Sequence, residues 1–316
     1  MVTNDIIYIG VNDHDIDLFE GQYDVPNGIS YNSYVILDEK IAIMDTVDKR
    51  KADDFMVNLA KALNGRKPDY LVVQHMEPDH ASSIQKVVEA YPEVQIVTSA
   101  GAKNMMPLYF NLDVSKALIV KEGDELNLGK HVLTFVAAPM VHWPEVIMTY
   151  DKTDKVLFSA DGFGKFGALD CDEDWDCEAR RYYFNIVGKF GAQVQAVLKK
   201  AAGLDIQVIC PLHGPILKET IGHVLEKYII WSSYGVETEG VFIAFASMHG
   251  NTAQAAHKLA EILEAKGCPK VQISDLARED PAEALEDAFR YGKVVLAAPT
   301  YNMGVAPCMG DFLHHL

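Results

Sequence analysis

The chain has 316 residues, 49% hydrophobic and 23% charged, and its 45 acidic against 28 basic side chains give a net charge of −17. This composition is typical of a soluble globular protein of about two domains, with a core large enough to be stable without disulfides. Its acidic surface is unfavourable for binding phosphate backbones, which argues against nucleic acid as a partner.

The cysteines and the N-terminus indicate the cellular compartment. The five cysteines are odd in number and include no C-x-x-C pair, which argues against a disulfide framework or a cysteine-rich zinc site. The N-terminus lacks a basic start followed by an apolar stretch, so we expect no signal peptide. Because no run of about 18 apolar residues occurs, we expect no membrane span and a location in the reducing cytoplasm.

The first two thirds of the chain alternate strand-like and helix-like patterns. Apolar runs at 33–37 and 41–44, joined by Asp38-Glu39-Lys40, predict a β-hairpin. Apolar residues at helical spacing predict helices over the following ranges: 51–63, 82–91, 179–202 and 218–231. Short apolar runs predict further strands at 94–97, 132–136, 146–150, 156–158 and 206–209.

The pattern changes near residue 238, where we place a domain boundary between a first domain, 1–238, and a second, 239–316. In the second domain the strands VFIAFA, VQIS and VVLAAP alternate with helices predicted over 252–265 and 281–290. Strands and helices in alternation are typical of a doubly wound parallel sheet.

Side chains that can bind metals follow directly after four predicted strands. The strand YLVVQ is followed by HMEPDH (residues 75–80), and three later strands are followed by His142, Asp161 and His213. Strand ends present side chains rigidly to a shared site, and histidine, aspartate and glutamate are suitable ligands for one. HMEPDH cannot wrap one ion with all of its ligands, but it can divide them between two neighbouring ions.

Each of these residues also has an ordinary structural interpretation. Asp79 can cap the helix that follows it, His142 can be a hydrogen-bonded histidine, and Asp161 and His213 can be turn residues. Their repetition at strand ends favours a metal site over these alternatives. Six other histidines have no such context and are interpreted as surface or packing residues: His14, His131, His223, His257, His314 and His315.

HMEPDH resembles a motif of the flavodiiron proteins, and so do His142-Trp143-Pro144-Glu145, Ser159-Ala160-Asp161-Gly162-Phe163-Gly164 and His213-Gly214-Pro215. The resemblance implies a metallo-β-lactamase-like αββα sandwich with a non-haem diiron centre. By motif position it implies one iron bound by His75, Glu77 and His142, a second bound by Asp79, His213 and His80, and a bridge from Asp161. In parts of the family the position of His80 does not bind iron directly, so the role of His80 stays open.

The donor set itself favours iron over zinc. Hydrolytic relatives of this fold usually carry a second histidine where this chain has Glu77, and the carboxylate adds a hard oxygen donor. Zinc also lacks the redox cycle that an iron centre provides. A zinc-dependent hydrolase on the same sandwich is the alternative, and a non-catalytic flavin- or oxygen-binding module is another.

The second domain carries two loops that suit a flavin. Small and hydroxyl residues at the start of a helix can surround a phosphate, and the segment Ser247-Met248-His249-Gly250-Asn251-Thr252 resembles the FMN phosphate loop of flavodoxins. A second loop resembles their other flavin-binding segment and comprises Pro299, Thr300, Tyr301, Asn302 and Gly304. Both follow the first and third strands of the domain, where such sheets bind FMN. A doubly wound domain without a ligand is the alternative.

The resemblance also implies an activity and partners. It implies reduction of dioxygen to water or of nitric oxide to nitrous oxide, electrons from rubredoxin or a related donor, and a head-to-tail homodimer. A flavodoxin-like domain has five strands and this sequence contains three of them. We therefore expect a truncated, partial flavodoxin-like domain that binds FMN more weakly than a complete one.

Overall fold

The computed structural model describes residues 2–316 and divides them into two compact units. The first comprises the chain up to Ala179 and Ala192–Leu225, and the second comprises Arg180–Gly191 and Glu226–Leu316. Segments 180–191 and 226–238 therefore lie with the second unit, whereas the sequence pattern assigned them to the first domain. One reason is aromatic packing, because Phe184 stacks on Phe289 at 4.5 Å between ring centroids.

Residues 2–316 form twenty short strands. They are β1 (Ile6–Tyr8), β2 (Val11–Asp13), β3 (Leu18–Phe19), β4 (Tyr23–Asp24), β5 (Ile29–Tyr31), β6 (Tyr34–Ile36), β7 (Ala42–Met44), β8 (Tyr70–Val73), β9 (Gln95–Thr98), β10 (Leu118–Ile119), β11 (Glu125–Asn127), β12 (Val132–Ala137), β13 (Ile147–Asp151), β14 (Val156–Phe158), β15 (Val208–Cys210), β16 (Val241–Phe245), β17 (Val271–Asp275), β18 (Val294–Ala297), β19 (Thr300–Tyr301) and β20 (Gly304–Val305).

Ten α-helices accompany the strands in residues 2–316. They are α1 (Ala52–Leu63), α2 (Pro78–Ala81), α3 (Ile84–Ala90), α4 (Ala100–Tyr109), α5 (Trp175–Tyr182), α6 (Gly191–Ala201), α7 (Ile221–Ser232), α8 (Asn251–Ala265), α9 (Pro281–Arg290) and α10 (Pro307–His315). Across the described residues, none of the helices is both long and apolar enough to span a lipid bilayer.

The first unit is built on two sheets that share one core. The six-stranded sheet has the order β1-β6-β7-β8-β9-β10 and the five-stranded sheet the order β11-β12-β13-β14-β15. Side chains from both sheets form one buried cluster, including Met44 and Val72 of the first sheet and Phe135 and Phe158 of the second. Alternate residues of the first sheet, such as Val35, are also buried, so its outer face is covered too. The expected αββα sandwich is confirmed.

The second unit contains a three-stranded parallel sheet in the order β17-β16-β18. Along β16, Phe242 and Ala244 pack with residues of α9 and α10, whereas Ile243 and Phe245 pack with residues of α8. A central strand covered by helices on both faces is typical of a doubly wound sheet, and the flavodoxin-like order is confirmed.

The helix predicted over 179–202 is confirmed as helical through residue 201, but it is not one regular α-helix. The chain instead leaves α5 through a π-helical turn at Tyr183–Val187 and a 3-10 turn at Gly188–Phe190 before α6 begins. Gly191, where α6 begins, packs closely on α7, because a Cβ atom there would lie 2.4 Å from the carbonyl oxygen of Ser232. Backbone contacts of this kind leave no trace in the hydrophobic periodicity.

A buried ion cluster holds the C-terminal end of α5, which lies within the second unit. The guanidinium of Arg180 donates two hydrogen bonds to Glu237, at 2.7 and 2.8 Å, and one to Glu286 at 2.9 Å. Trp231 and Lys227 donate to the same Glu237 carboxylate at 2.6 and 2.7 Å. Burial would raise the pKa of Glu237, but the hydrogen bonds from Arg180 and Lys227 lower it to about 2.

Replacement of Arg180 by methionine removes the cation and leaves the buried carboxylates of Glu237 and Glu286 without its hydrogen bonds. We expect Arg180→Met to lower the free energy of unfolding by about 3–5 kcal/mol, because removing one member of a buried ion pair leaves the charge of the other uncompensated. The control is Arg278→Met, whose guanidinium is 66% exposed beside Asp275 and contributes about 0–1 kcal/mol. Denaturant unfolding of the full chain measures both, and equal losses would contradict the assignment.

Candidate metal centre

All of the metal ligands predicted from the sequence come together at one end of the two sheets of the first unit. His75 follows β8 directly, Glu77 precedes α2, and Asp79 and His80 lie within α2. His142 follows β12, Asp161 follows β14 and His213 follows β15. Their ligand atoms fall into two neighbouring groups: the first is His75, Glu77, His142 and Asp161, and the second is Asp79, His80 and His213.

The first group converges on a small volume between two imidazoles and two carboxylates. The Nε2 atoms of His75 and His142 lie 3.2 and 2.9 Å from Glu77 Oε2. The same two atoms lie 3.2 and 3.3 Å from Asp161 Oδ2. Separations of this size are those between ligands of a single ion, since metal–ligand bonds of about 2.0–2.2 Å bring ligand atoms about 3 Å apart.

The second group has the same character. The Nε2 atoms of His80 and His213 each lie 3.1 Å from Asp79 Oδ2 and 3.0 Å from one another. His80 Nε2 also lies 3.2 Å from Asp161 Oδ1. His80 therefore points into the centre with the other ligands of this group.

Asp161 joins the two groups through its two oxygens. Oδ2 faces His75 and His142, whereas Oδ1 faces His80 and, at 3.8 Å, His213. The side chain is 1% exposed, and neither oxygen accepts a hydrogen bond from any described residue. Both carboxylate oxygens of Asp79 are likewise without a hydrogen bond. Buried carboxylates in this state need a cation, so the residues present fit two metal ions bridged by one carboxylate.

Hydrogen bonds to Nδ1 aim two of the histidines at the centre. His75 Nδ1 donates to Glu145 Oε1 at 2.9 Å, and the same oxygen accepts from the backbone N–H of Met76. His213 Nδ1 donates to the carbonyl oxygen of Ser30 at 2.7 Å. With the proton held on Nδ1, Nε2 presents its lone pair to a metal, which is the usual arrangement of metal-binding histidines.

Two supporting carboxylates were not among the predicted site residues. Glu145 belongs to the HWPE motif, which was the only signal available for it. Asp45 is buried and accepts hydrogen bonds from the backbone and side chain of Gln74 at 2.7 and 2.8 Å, next to His75. Burial raises the pKa of Asp45 to about 6. Nothing in the local sequence distinguishes Asp45 from a turn residue.

The electrostatics of the cluster depend on its internal charge. Burial alone would lower the pKa of His80, but Asp79 and Asp161 raise it to about 10. Burial likewise opposes protonation of His142, whose carboxylate neighbours raise its pKa to about 9. The carboxylates thus raise the pKa of the same imidazoles that would share a metal ion with them, so metal binding would compete with protons.

The predicted flavin loops lie in the second unit at the carboxyl ends of adjacent strands. The Ser247–Thr252 segment connects β16 to α8, and its Gly250 adopts a φ of 87° and donates a backbone hydrogen bond to Ser247 Oγ at 3.2 Å. Pro299–Gly304 follows β18, the parallel neighbour of β16, and forms the hairpin β19–β20. Most of these residues are exposed, which leaves their polar groups accessible to a ligand.

Comparison with known proteins agrees with this architecture. A family model described as ODP family beta lactamase matches residues 29–214, and a flavodoxin model matches residues 243–315. The chain is 30% identical to the nitric oxide reductase of Moorella thermoacetica over its whole length, which covers 81% of that protein.

Two solved structures share the fold across almost the whole chain. The flavodiiron protein of Giardia intestinalis superposes with a TM-score of 0.92 at 27% identity, covering 99% of this chain and 78% of that one. The rubredoxin oxygen:oxidoreductase of Desulfovibrio gigas superposes with a TM-score of 0.93 at 28% identity, covering 100% and 81%.

A metallo-β-lactamase-like sandwich with two ligand groups around one carboxylate, joined to a flavodoxin-like sheet, defines the class of protein. With the two family matches in this order, the chain belongs to the flavodiiron proteins.

Glu145→Gln tests how much the hydrogen bond to His75 contributes to metal binding. A neutral amide holds the imidazole less firmly, so we expect the affinity for iron to fall about 10–100-fold. Competition with a chelator measures this loss. The matched control is Glu125→Gln, which removes a half-exposed surface ion pair with Lys152 and should leave the affinity unchanged. Equal affinities in the two variants would show that Glu145 does not support the centre.

Proposed function

We propose that this chain is an oxidoreductase that reduces dioxygen to water, nitric oxide to nitrous oxide, or both, at a non-haem diiron site supplied with electrons through FMN. The observation that carries this proposal is the Asp161 carboxylate, buried without hydrogen bonds and directed at two separate ligand groups. A single-metal site would not require a carboxylate in this arrangement.

We assign the ligands as the geometry groups them. One iron would be held by His75, Glu77 and His142, the other by Asp79, His80 and His213, and Asp161 would bridge them. The direct role of His80 is supported by its Nε2 atom, which lies within 3.2 Å of Asp79, Asp161 and His213. Oxygen donors in both groups favour iron over zinc.

Residues around the ligands hold them in place and limit the access of water. Glu145 and the Ser30 carbonyl fix the imidazoles of His75 and His213, as described above. Trp143 packs edge-on against His75 at 5.2 Å between ring centroids, and Phe19 packs edge-on against His213 at 5.3 Å. These rings keep a low-dielectric shell around the ligands, which strengthens their electrostatic interactions with a bound cation.

Two cofactors on one chain suit a multi-electron reduction. When bound, two ferrous ions and reduced FMN would together supply four electrons, the number that takes dioxygen to two waters, whereas two electrons couple two nitric oxide molecules into nitrous oxide. The proposed FMN site comprises Ser247–Thr252 and Pro299–Gly304. Exposed backbone N–H groups of the first loop, at the start of α8, are suited to the phosphate.

The partners remain proposals. The solved neighbour from Desulfovibrio gigas is named as a rubredoxin oxygen:oxidoreductase, which supports a rubredoxin-type donor, and the Moorella relative is named as a nitric oxide reductase. The head-to-tail homodimer and the cytoplasmic location predicted from the sequence stay predictions.

The direct test combines metal analysis with turnover. Protein loaded with iron and FMN should contain about two irons per chain and consume dioxygen or nitric oxide when reduced rubredoxin is supplied. Zinc in place of iron at both positions would instead support a hydrolase. Two irons without any consumption of either gas would support a non-catalytic module.

Asp161→Ala should remove the bridge and with it the paired irons, because two cations would then be close together with less negative charge between them. We expect about one iron or fewer per chain and loss of most turnover, with little change in far-UV circular dichroism. The matched control is Asp205→Ala, which removes a 59% exposed surface carboxylate beside Lys155. Two irons and full turnover in Asp161→Ala would show that Asp161 is only a turn residue and does not bridge the irons.

Gly250→Ala tests the proposed phosphate loop. The residue adopts a φ of 87°, so a Cβ atom strains the loop by about 1 kcal/mol and shifts its N–H groups. The matched control is Gly267→Ala, which has a φ of 84° at the other end of α8, and neither site has an atom within 4 Å of the added Cβ. Flavin fluorescence titration should show weaker FMN binding only in Gly250→Ala. Equal weakening in both variants would indicate a general loss of stability.

A further inference from the structure

A second cluster of histidine and carboxylates lies in the first unit, away from the metal centre. His131 directly precedes β12, Asp154 lies two residues before β14, and Asp5 directly precedes β1. His142 and Asp161 follow the same strands β12 and β14 at their other ends. Since β12 has six residues at about 3.3 Å each, the two sites are about 20 Å apart.

The imidazole of His131, interpreted from the sequence as a surface or packing residue, is buried and held by hydrogen bonds. Its side chain is fully buried, and its Nδ1 atom lies 2.9 Å from Asp151 Oδ2. That carboxylate is itself fixed by the backbone N–H groups of Asp154 and Thr153 at 3.0 and 3.2 Å. The backbone N–H of His131 donates to Asp38 Oδ2 at 2.6 Å.

The other ring nitrogen faces carboxylates. His131 Nε2 lies 3.3 Å from Asp5 Oδ2, and one ligand atom each of Asp5, His131 and Asp154 lies within 4.8 Å of the other two. When Nδ1 donates to Asp151, the neutral ring presents a lone pair at Nε2 to Asp5 Oδ2. Lone pairs in such proximity repel one another unless a proton or a metal cation lies between them.

We propose that Asp5, His131 and Asp154 form a zinc site that is separate from the diiron centre, with Asp151 as the carboxylate that orients His131. His nitrogen and Asp oxygen both occur as zinc ligands, so one imidazole and two carboxylates can bind a zinc ion with water completing the coordination, although the oxygen donors do not exclude another divalent cation. The carboxylate–histidine pair reproduces the arrangement of His75 and Glu145. Asp5 is 31% exposed and opens the site to solvent, so an ion can enter without disturbing the core.

Lys130 would compete with a metal ion for the carboxylate of Asp5. Its ammonium contacts Asp5 Oδ2, but the side chain is 57% exposed and can turn into solvent when a divalent cation binds. The site would also connect the two sheets, because Asp5 leads into the six-stranded sheet and His131 and Asp154 lead into the five-stranded sheet. Zinc bound only by the folded protein should therefore raise its melting temperature.

The test uses the full chain with its irons in place, titrated with zinc chloride, desalted and analysed for each metal. We expect one zinc per chain in addition to the iron, and a higher melting temperature with zinc. His131→Asn and Asp154→Asn should each lose that zinc and the melting shift while keeping the iron. The matched control His223→Asn removes another histidine paired with an aspartate, Asp176, and should keep the zinc.

Lys130→Gln separates a metal site from a purely ionic contact. Removal of the competing ammonium should increase the affinity for zinc several-fold if Asp5 is a ligand. Zinc binding that is unchanged in His131→Asn and Asp154→Asn, or weakened in Lys130→Gln, would overturn the proposal and leave a protonated His131 between aspartates. Because zinc content and melting temperature are measured without turnover, failure of the oxidoreductase proposal would be seen separately, in iron content and gas consumption.

Discussion

The proposed metal centre of the first unit depends on the buried carboxylate of Asp161, which we propose as the bridge between two cations. Its position is set by a tight turn after β14, in which Ala160 adopts a φ of 48° and Ser159 Oγ donates to the carbonyl oxygen of Gly162 at 2.7 Å. Rigid placement matters because a carboxylate between two cations must present one oxygen to each. The hydrophobic core between the sheets supplies that rigidity.

Concentrating so many charged and polar groups in one buried place opposes folding unless a cation compensates them. The ligands lie at strand ends, where loops reach the edge of the core, which limits the free-energy cost of burying them. The interior between the sheets is filled by apolar side chains such as Phe135 and Phe158. In the second unit, the buried charges of the Arg180 cluster are compensated by other protein groups rather than by a metal ion. Metal-dependent and metal-independent compensation therefore occur in one chain.

Much of this organisation follows from the sequence because it rests on local signals. The hairpin of β6 and β7, the helix α9 and the ligands after β8, β12, β14 and β15 are each marked by short patterns. The roles of Glu145 and Asp45 and the close packing at Gly191 could not be predicted in this way. Each depends on a partner distant in the chain, such as His75 for Glu145 at a separation of 70 residues, and no periodicity encodes that pairing.

The same arrangement of a histidine and carboxylates occurs at both ends of the sandwich, but only one of the two is visible in the sequence. His75 and His131 each hold Nδ1 against a buried carboxylate and direct Nε2 at further carboxylates. The neighbours of His75 are adjacent in sequence and form a visible motif, whereas Asp5 is 126 residues from His131. The chemical difference lies in Lys130, a partly exposed cation beside only one of the two sites. The ammonium of Lys130 would compete with a metal ion for Asp5 while leaving the ligands of that site in place. The sites at the two ends of the same strands can therefore differ in metal affinity although their histidines are held in the same way.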